Sequence, residues 1–162
     1  MVNPFLNGKN KRKVFMLEQK LRELFKKNGG VIRCSTLQSS NRVTFKVIKD
    51  GTGFVCDRGA AIYPFNKMDD LESEIKTIAK YSKDGKVYYG ANLARNGLKL
   101  GDDPWFETTL DGILALRVFE IEYGKSVYGG STYIAALLQQ VGFAVMHRKD
   151  LIDAFITLTG RF

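Results

Sequence analysis

Apolar and polar positions alternate most regularly between Val31 and Gly59, and this stretch predicts the centre of the fold. Val43, Phe45 and Val47 alternate with Arg42, Thr44 and Lys46, the two-residue period of a strand with one packed and one wet face. Lys49-Asp50-Gly51-Thr52 reads as a turn, because an Asp-Gly pair suits positive backbone dihedrals, and Gly53-Phe54-Val55-Cys56 returns as the second arm of a hairpin. Val31 to Thr36 predicts a third short strand before it. A sheet this small is marginal alone and must bury its apolar face under neighbouring helices.

The period changes to that of a helix on either side. Val14, Leu17, Leu21, Leu24 and Phe25 recur at three- and four-residue intervals, and Asn28-Gly29-Gly30 ends the pattern. After Asp57-Arg58-Gly59, the apolar run Ala60 to Phe65 contains Pro64, which limits regular structure there. Asp69 and Glu72 have the spacing of a capping box, opening a helix that buries Met68, Leu71, Ile75, Ile78 and Ala79. Lys86 to Gly90 predicts a short strand, and Asn92 to Asp103 a loop or irregular edge hairpin. A central helix is expected over residues 109–123. Another, capped by Ser131, carries Ile134, Leu137, Leu138 and Val141. A last helix over 148–159 would bury Leu151, Ile152, Phe155 and Ile156. The class expected is α+β: a small, mainly antiparallel sheet (a meander near residues 31–57 plus a strand near 86–90) covered by four or five helices. With no repeat and no long linker, residues 1–162 read as one domain with a flexible basic arm at about 1–12.

Charge adds what periodicity does not. The net charge is +8, and residues 1–50 hold twelve of the 25 Lys and Arg against three acids, whereas the rest holds 13 bases and 14 acids. Such segregation suits a polyanion, since neutralising phosphates releases counterions. The expected contacts are Lys9, Lys11, Arg12, Lys13, Lys20, Lys26, Lys27, Arg42 and Lys46. Part of the charge at the end of the first helix also complements the helix dipole. No run approaches the roughly 18 apolar residues of a membrane span, and Met1 to Phe5 does not resemble a secretory leader. Two cysteines are too few for a disulfide framework, so a cytoplasmic setting with buried thiols is expected.

The search for chemistry returns mostly negatives, so no cofactor, metal or catalytic residue is assigned. His147 is the single histidine, and Cys34 with Cys56 lacks zinc-site spacing. Gly124-Lys125-Ser126 matches the end of a phosphate-binding loop, but Phe119 stands where the first glycine is required, and the segment follows a helix. Asp57 with Glu74-Ile75-Lys76 has the residue types of a metal-dependent nuclease, though the second group shows helical spacing and the pair Glu72 and Lys76 fits a surface bridge. Glu120-Ile121-Glu122 resembles the acid pair of ADP-ribosyl transferases, also in a helical pattern. Tyr88, Tyr89 and Trp105 offer rings for stacking on bases, or for the core. The two last helices, around Gly142-Phe143, have the order of a helix-turn-helix with Arg148 and Lys149 opening the second, but the connection is long and apolar.

The order helix, short strand with Ser35-Thr36, Asn41-Arg42-Val43, then Phe54 to Ile62 with Asp57-Arg58-Gly59 at its centre, resembles an uncharacterised domain family of phage and prophage proteins. In that family a strand ends in an Asp-x-Gly turn; Arg58 stands here where a second acid is usual. The resemblance covers about residues 12–122 and implies a mobile-element origin without an established activity. Two main readings follow. One is a non-enzymatic protein contacting nucleic acid through its basic amino-terminal surface. The other is a phage-type inhibitor or adaptor occupying a host defence nucleoprotein complex, of the restriction or CRISPR kind. A nuclease is a third reading, and the oligomeric state is left open.

Overall fold

The computed structural model describes residues 15–37, 42–147 and 154–162. The expected arm and its Lys9, Lys11, Arg12 and Lys13 lie outside the described residues. Among those described, five helices and seven strands form an α+β fold with two antiparallel sheets. None of these helices is long and apolar enough to cross a membrane.

Helix α1 (Leu17–Lys27) buries Leu17, Leu21 and Phe25, the stripe its period predicts. It ends where Gly29 and Gly30 take φ of 69° and 87°, a left-handed pair that turns the chain straight into the sheet. Strands β1 (Val31–Ser35), β2 (Arg42–Val47), β3 (Gly53–Cys56) and β4 (Ile62–Pro64) follow as a meander in sequence order. The fourth strand corrects the expectation of irregular structure before Phe65. Pro64 sits at its end, on the sheet edge, where a missing N–H breaks no ladder. Gly53 opposite is what lets it close in: a Cβ there would stand 2.6 Å from the Tyr63 carbonyl oxygen.

Inward-facing rings knit this sheet to α1. Phe25 lies 5.1 Å from Phe54 and 5.7 Å from Phe65, between ring centroids, and Phe54 stacks on Tyr63. Helix α2 (Met68–Tyr81) adds Met68, Leu71 and Ile75 to the same core.

The second half departs further from expectation. Strand β5 (Val87–Tyr88) does not extend the meander; it joins a separate sheet in the order β5-β7-β6 with β6 (Ala144–His147) and β7 (Phe155–Leu158). The expected terminal helix is therefore replaced, over its described part, by a strand, with Val87 paired to Ile156 and Met146 to the same residue from the other side. Leu151 and Ile152 lie outside the described residues. The spacing of Phe155 and Ile156 suited either period. β-branched Ile156 and Thr157 favour a strand once partners are present, and these are the nearby β6 on one side and β5, almost 70 residues earlier, on the other. The helix-turn-helix reading ends here too, since β6 occupies the connection and β7 the place of the second helix.

Residues expected to form a loop include the short helix α3 (Ala91–Arg95) and an isolated bridge from Lys99 to Ser126. The central helix is shorter than its apolar span. Helix α4 (Leu110–Ile113) continues as a wide π turn through Leu114–Val118, and the chain then reverses at Glu120, φ 52°. Six consecutive residues from Leu110 to Ala115 are buried, so its central position is as predicted. Helix α5 (Ser131–Gln140) buries Ile134 to Leu138. One continuous hydrophobic cluster joins both sheets and the helices, with α3 reaching it only through half-buried Ala91.

Candidate functional site

The outward face of the four-stranded sheet brings some of the described cations together. On β2, Arg42, Thr44 and Lys46 point out, while Val43 and Phe45 are buried. The register sets Ser35, Arg33 and Val31 of β1 beside them in that order. Arg42 and Lys46, four residues apart, are separated by about 13 Å along the strand, and Arg33 lies about 5 Å across from Thr44 between them. Val55 and half-exposed Ile62 continue the row of Lys46 across β3 and β4. The four strands contain no acid. Arg33, Arg42 and Lys46 form no ion pair among the described residues. Arg58 adds a fourth cation at the rim, where its Nη2 donates to the Arg42 carbonyl at 2.9 Å.

The expected contacts on α1 belong to another layer. Phe25 of this helix packs against the inward face of the sheet, so the solvent side of α1 and the outward face of the sheet look away from each other across the core. Lys26 and Lys27 are exposed at the last turn and Lys20 is half-buried on a flank. They share that surface with Glu18 and Glu23. Glu18 holds Arg22 at 2.9 Å, and the Arg22 guanidinium also covers the Phe65 ring at 4.4 Å. The described cations thus divide between Arg42 and Lys46 in one layer and Lys20, Lys26 and Lys27 in the other.

Asp57 does stand at a strand end, as expected, but its role there is structural. Its Oδ1 accepts the Thr44 N–H at 3.0 Å, standing in for a ladder carbonyl as the chain turns away at Arg58. Glu74 and Lys76 lie on α2; Glu74 faces Arg117 at 3.5 Å, and Lys76 reaches Glu72 at 2.6 Å. No three His, Cys, Asp or Glu side chains among the described residues are grouped to hold a metal ion. Burial pushes the Cys34 thiol up to about 12 and the Cys56 thiol to about 11, so both stay protonated. The His147 ring stacks on Phe155 at 4.9 Å and shares a hydrogen bond with the Thr157 hydroxyl, 2.8 Å from Nε2. Glu120 is ion-paired to Lys67 on the surface, and Gly124-Lys125-Ser126 is an exposed turn. Of the three rings singled out, Tyr89 is buried in the core. Tyr88 and Trp105 face each other with centroids 6.1 Å apart.

Arg33 was not among the expected contacts. The signal was present in the strand alternation, but only the pairing of Arg33 with Thr44 places it between Arg42 and Lys46. Glu72, expected to cap its own helix and to form a surface bridge with Lys76, is instead buried against the start of α1, and Asp111, not singled out in the sequence, is buried against the start of α5. Comparison with known proteins adds no kinship: no family model, no curated protein and no solved structure matches this chain.

Proposed function

We propose that this protein binds nucleic acid without catalysing a reaction on it, laying the phosphate backbone across the outward face of the four-stranded sheet. The observation that carries this reading is the group Arg33, Arg42 and Lys46, exposed on one pleated face of acid-free strands and free of ion pairs among the described residues. Cations left without acid partners keep their full attraction for phosphate, and their fixed spacing on rigid strands lowers the entropy lost on contact. Among the described residues the four strands put no aromatic ring on this face, because Phe45, Phe54 and Tyr63 all point inward, so its contacts are with phosphate and carry little base preference. Lys20, Lys26 and Lys27 on the far layer contribute long-range attraction that salt screens.

Anisotropy titrations of labelled DNA and RNA across a salt series test this. The logarithm of the affinity is expected to fall linearly with the logarithm of salt. The triple variant Arg33→Ala, Arg42→Ala, Lys46→Ala should weaken binding roughly tenfold to a hundredfold and reduce the slope by about 2 to 3. All three side chains are exposed, so the fold is expected to survive the change. Absence of binding to DNA and RNA at low salt would remove the proposal.

A further inference from the structure

A second surface lies at the carboxy-terminal end of α2. There Tyr81, Tyr88 and Trp105 wall an open groove of about 280 Å³ floored by Ile78. Tyr81 is 79% exposed and Trp105 47%, a large apolar area to leave in water at one place. Tyr88 is set from behind by Phe155, with centroids 5.6 Å apart. Trp105 is held by its own 3₁₀ turn (Pro104–Thr108): the Asp103 carboxylate accepts its N–H at 3.0 Å, and the Thr108 hydroxyl donates to its carbonyl at 2.7 Å. The Tyr88 ring and the Trp105 backbone are thus braced by neighbouring structure before any ligand arrives.

The rim is positive. Lys86 lines the groove, Lys80 Nζ lies 5.9 Å above the Tyr81 ring, and Lys83 follows in the next turn. The acid beside them, Asp84, is already engaged by the Ser82 hydroxyl, the Lys86 N–H and the Lys86 ammonium. Exposed rings next to Lys80 and Lys83, which form no ion pair among the described residues, match a ligand with a flat apolar face and an anionic link beside it. A groove just below the roughly 300 Å³ at which small-molecule sites begin has room for one such face. In a duplex the bases are stacked inside, so a base can enter only from an unpaired strand.

We propose that this groove takes one unpaired base of single-stranded nucleic acid, stacked between Tyr81 and Trp105, with its phosphate beside Lys80. The inference rests on the nucleic-acid reading above and adds strand state to it. Trp105 is the only tryptophan, so its emission reports on the groove directly. A homopolymeric single strand and a duplex of equal length are titrated at low salt, reading Trp105 emission and, separately, anisotropy of a label on the nucleic acid. The single strand is expected to quench Trp105 on binding and the duplex to bind without quenching. Tyr81→Ala, at an exposed position, should weaken the single strand roughly fivefold or more and leave the duplex unchanged. Single-strand binding that neither quenches Trp105 nor responds to Tyr81→Ala overturns the groove and leaves the sheet reading intact. Equal quenching by both nucleic acids also overturns it, and no anisotropy change with either removes both proposals.

Discussion

Replacing Glu72 with alanine is expected to lower the free energy of unfolding by about 3–5 kcal/mol, the range for breaking a buried charged pair. Glu72 is fully buried, and its contacts explain how the fold tolerates a carboxyl group there. Oε1 accepts the N–H groups of Met16 and Leu17, each at 2.7 Å, and Lys76 Nζ lies 2.6 Å from Oε2. Asp69, one turn earlier on α2, accepts the Glu18 N–H at 3.0 Å. The first N–H groups of α1 have no acceptor inside their own helix, and the positive end of its dipole favours a carboxylate. Two acids of α2 therefore cap α1 across the helix interface. Alanine would strand two inward-facing N–H donors and remove the carboxylate that Lys76 Nζ meets. Glu72→Gln keeps an acceptor of the same shape and should cost only about 1–3 kcal/mol, because the loss is then of charge alone. Urea denaturation of the three proteins measures the series; a loss below about 1 kcal/mol for alanine would show that α1 is not anchored in this way.

The second large effect concerns pH. Asp111 is completely buried at the start of α4, and its Oδ1 accepts the N–H groups of Gly130 at 3.0 Å and Ser131 at 2.8 Å, the first turn of α5. Burial pushes its carboxyl up to about 6, against the pull of the Ser131 side chain and of these two N–H groups, which favour the charged form. Folding thus raises this pKa from an ordinary value near 3.8. The folded state then holds the proton more tightly than the unfolded one. The stabilisation is complete below about pH 4 and is lost as pH rises through about 6, a swing on the order of 3 kcal/mol. Exposed carboxylates such as Asp50 and Glu120, held low by hydrogen bonds, act in the opposite sense, so the whole-protein profile does not isolate Asp111. The difference between the parent and Asp111→Asn does. That difference should shift by about 2–3 kcal/mol in favour of the asparagine variant between pH 4 and pH 7. A constant difference across that range would mean that Asp111 does not titrate in the folded protein within it.

These two residues also mark where reading by position along the chain goes astray. Asp69 and Glu72 have capping-box spacing, and Ser131 stands where a cap belongs, yet none of the three caps its own helix. A capping box predicts a bond between neighbours. Here the acceptor comes from 55 residues away for α1 and 20 for α5, and nothing in local spacing encodes that. The error at the chain end has a related cause. Phe155 and Ile156 are compatible with either period, and a four-residue strand gains its identity only from the ladder that Val87 and Met146 supply. The basic surface was legible as a total but not as a face. Register gathered Arg33 with Arg42 and Lys46, while the packing of Phe25 sent Lys20, Lys26 and Lys27 to the other layer.

Local pattern alone determined α1, the three-strand meander, α2 and the segregation of charge, because each depends on a period or a composition that a short stretch contains in full. Tertiary structure decided the second sheet, the fourth strand, the two borrowed helix caps and the division of the cations. The caps, the β5 edge of the second sheet and the division of the cations are set by which distant segment comes to lie alongside, the fourth strand and the β6–β7 pair by docking on a nearer neighbour, and neither kind of contact leaves a local period to read.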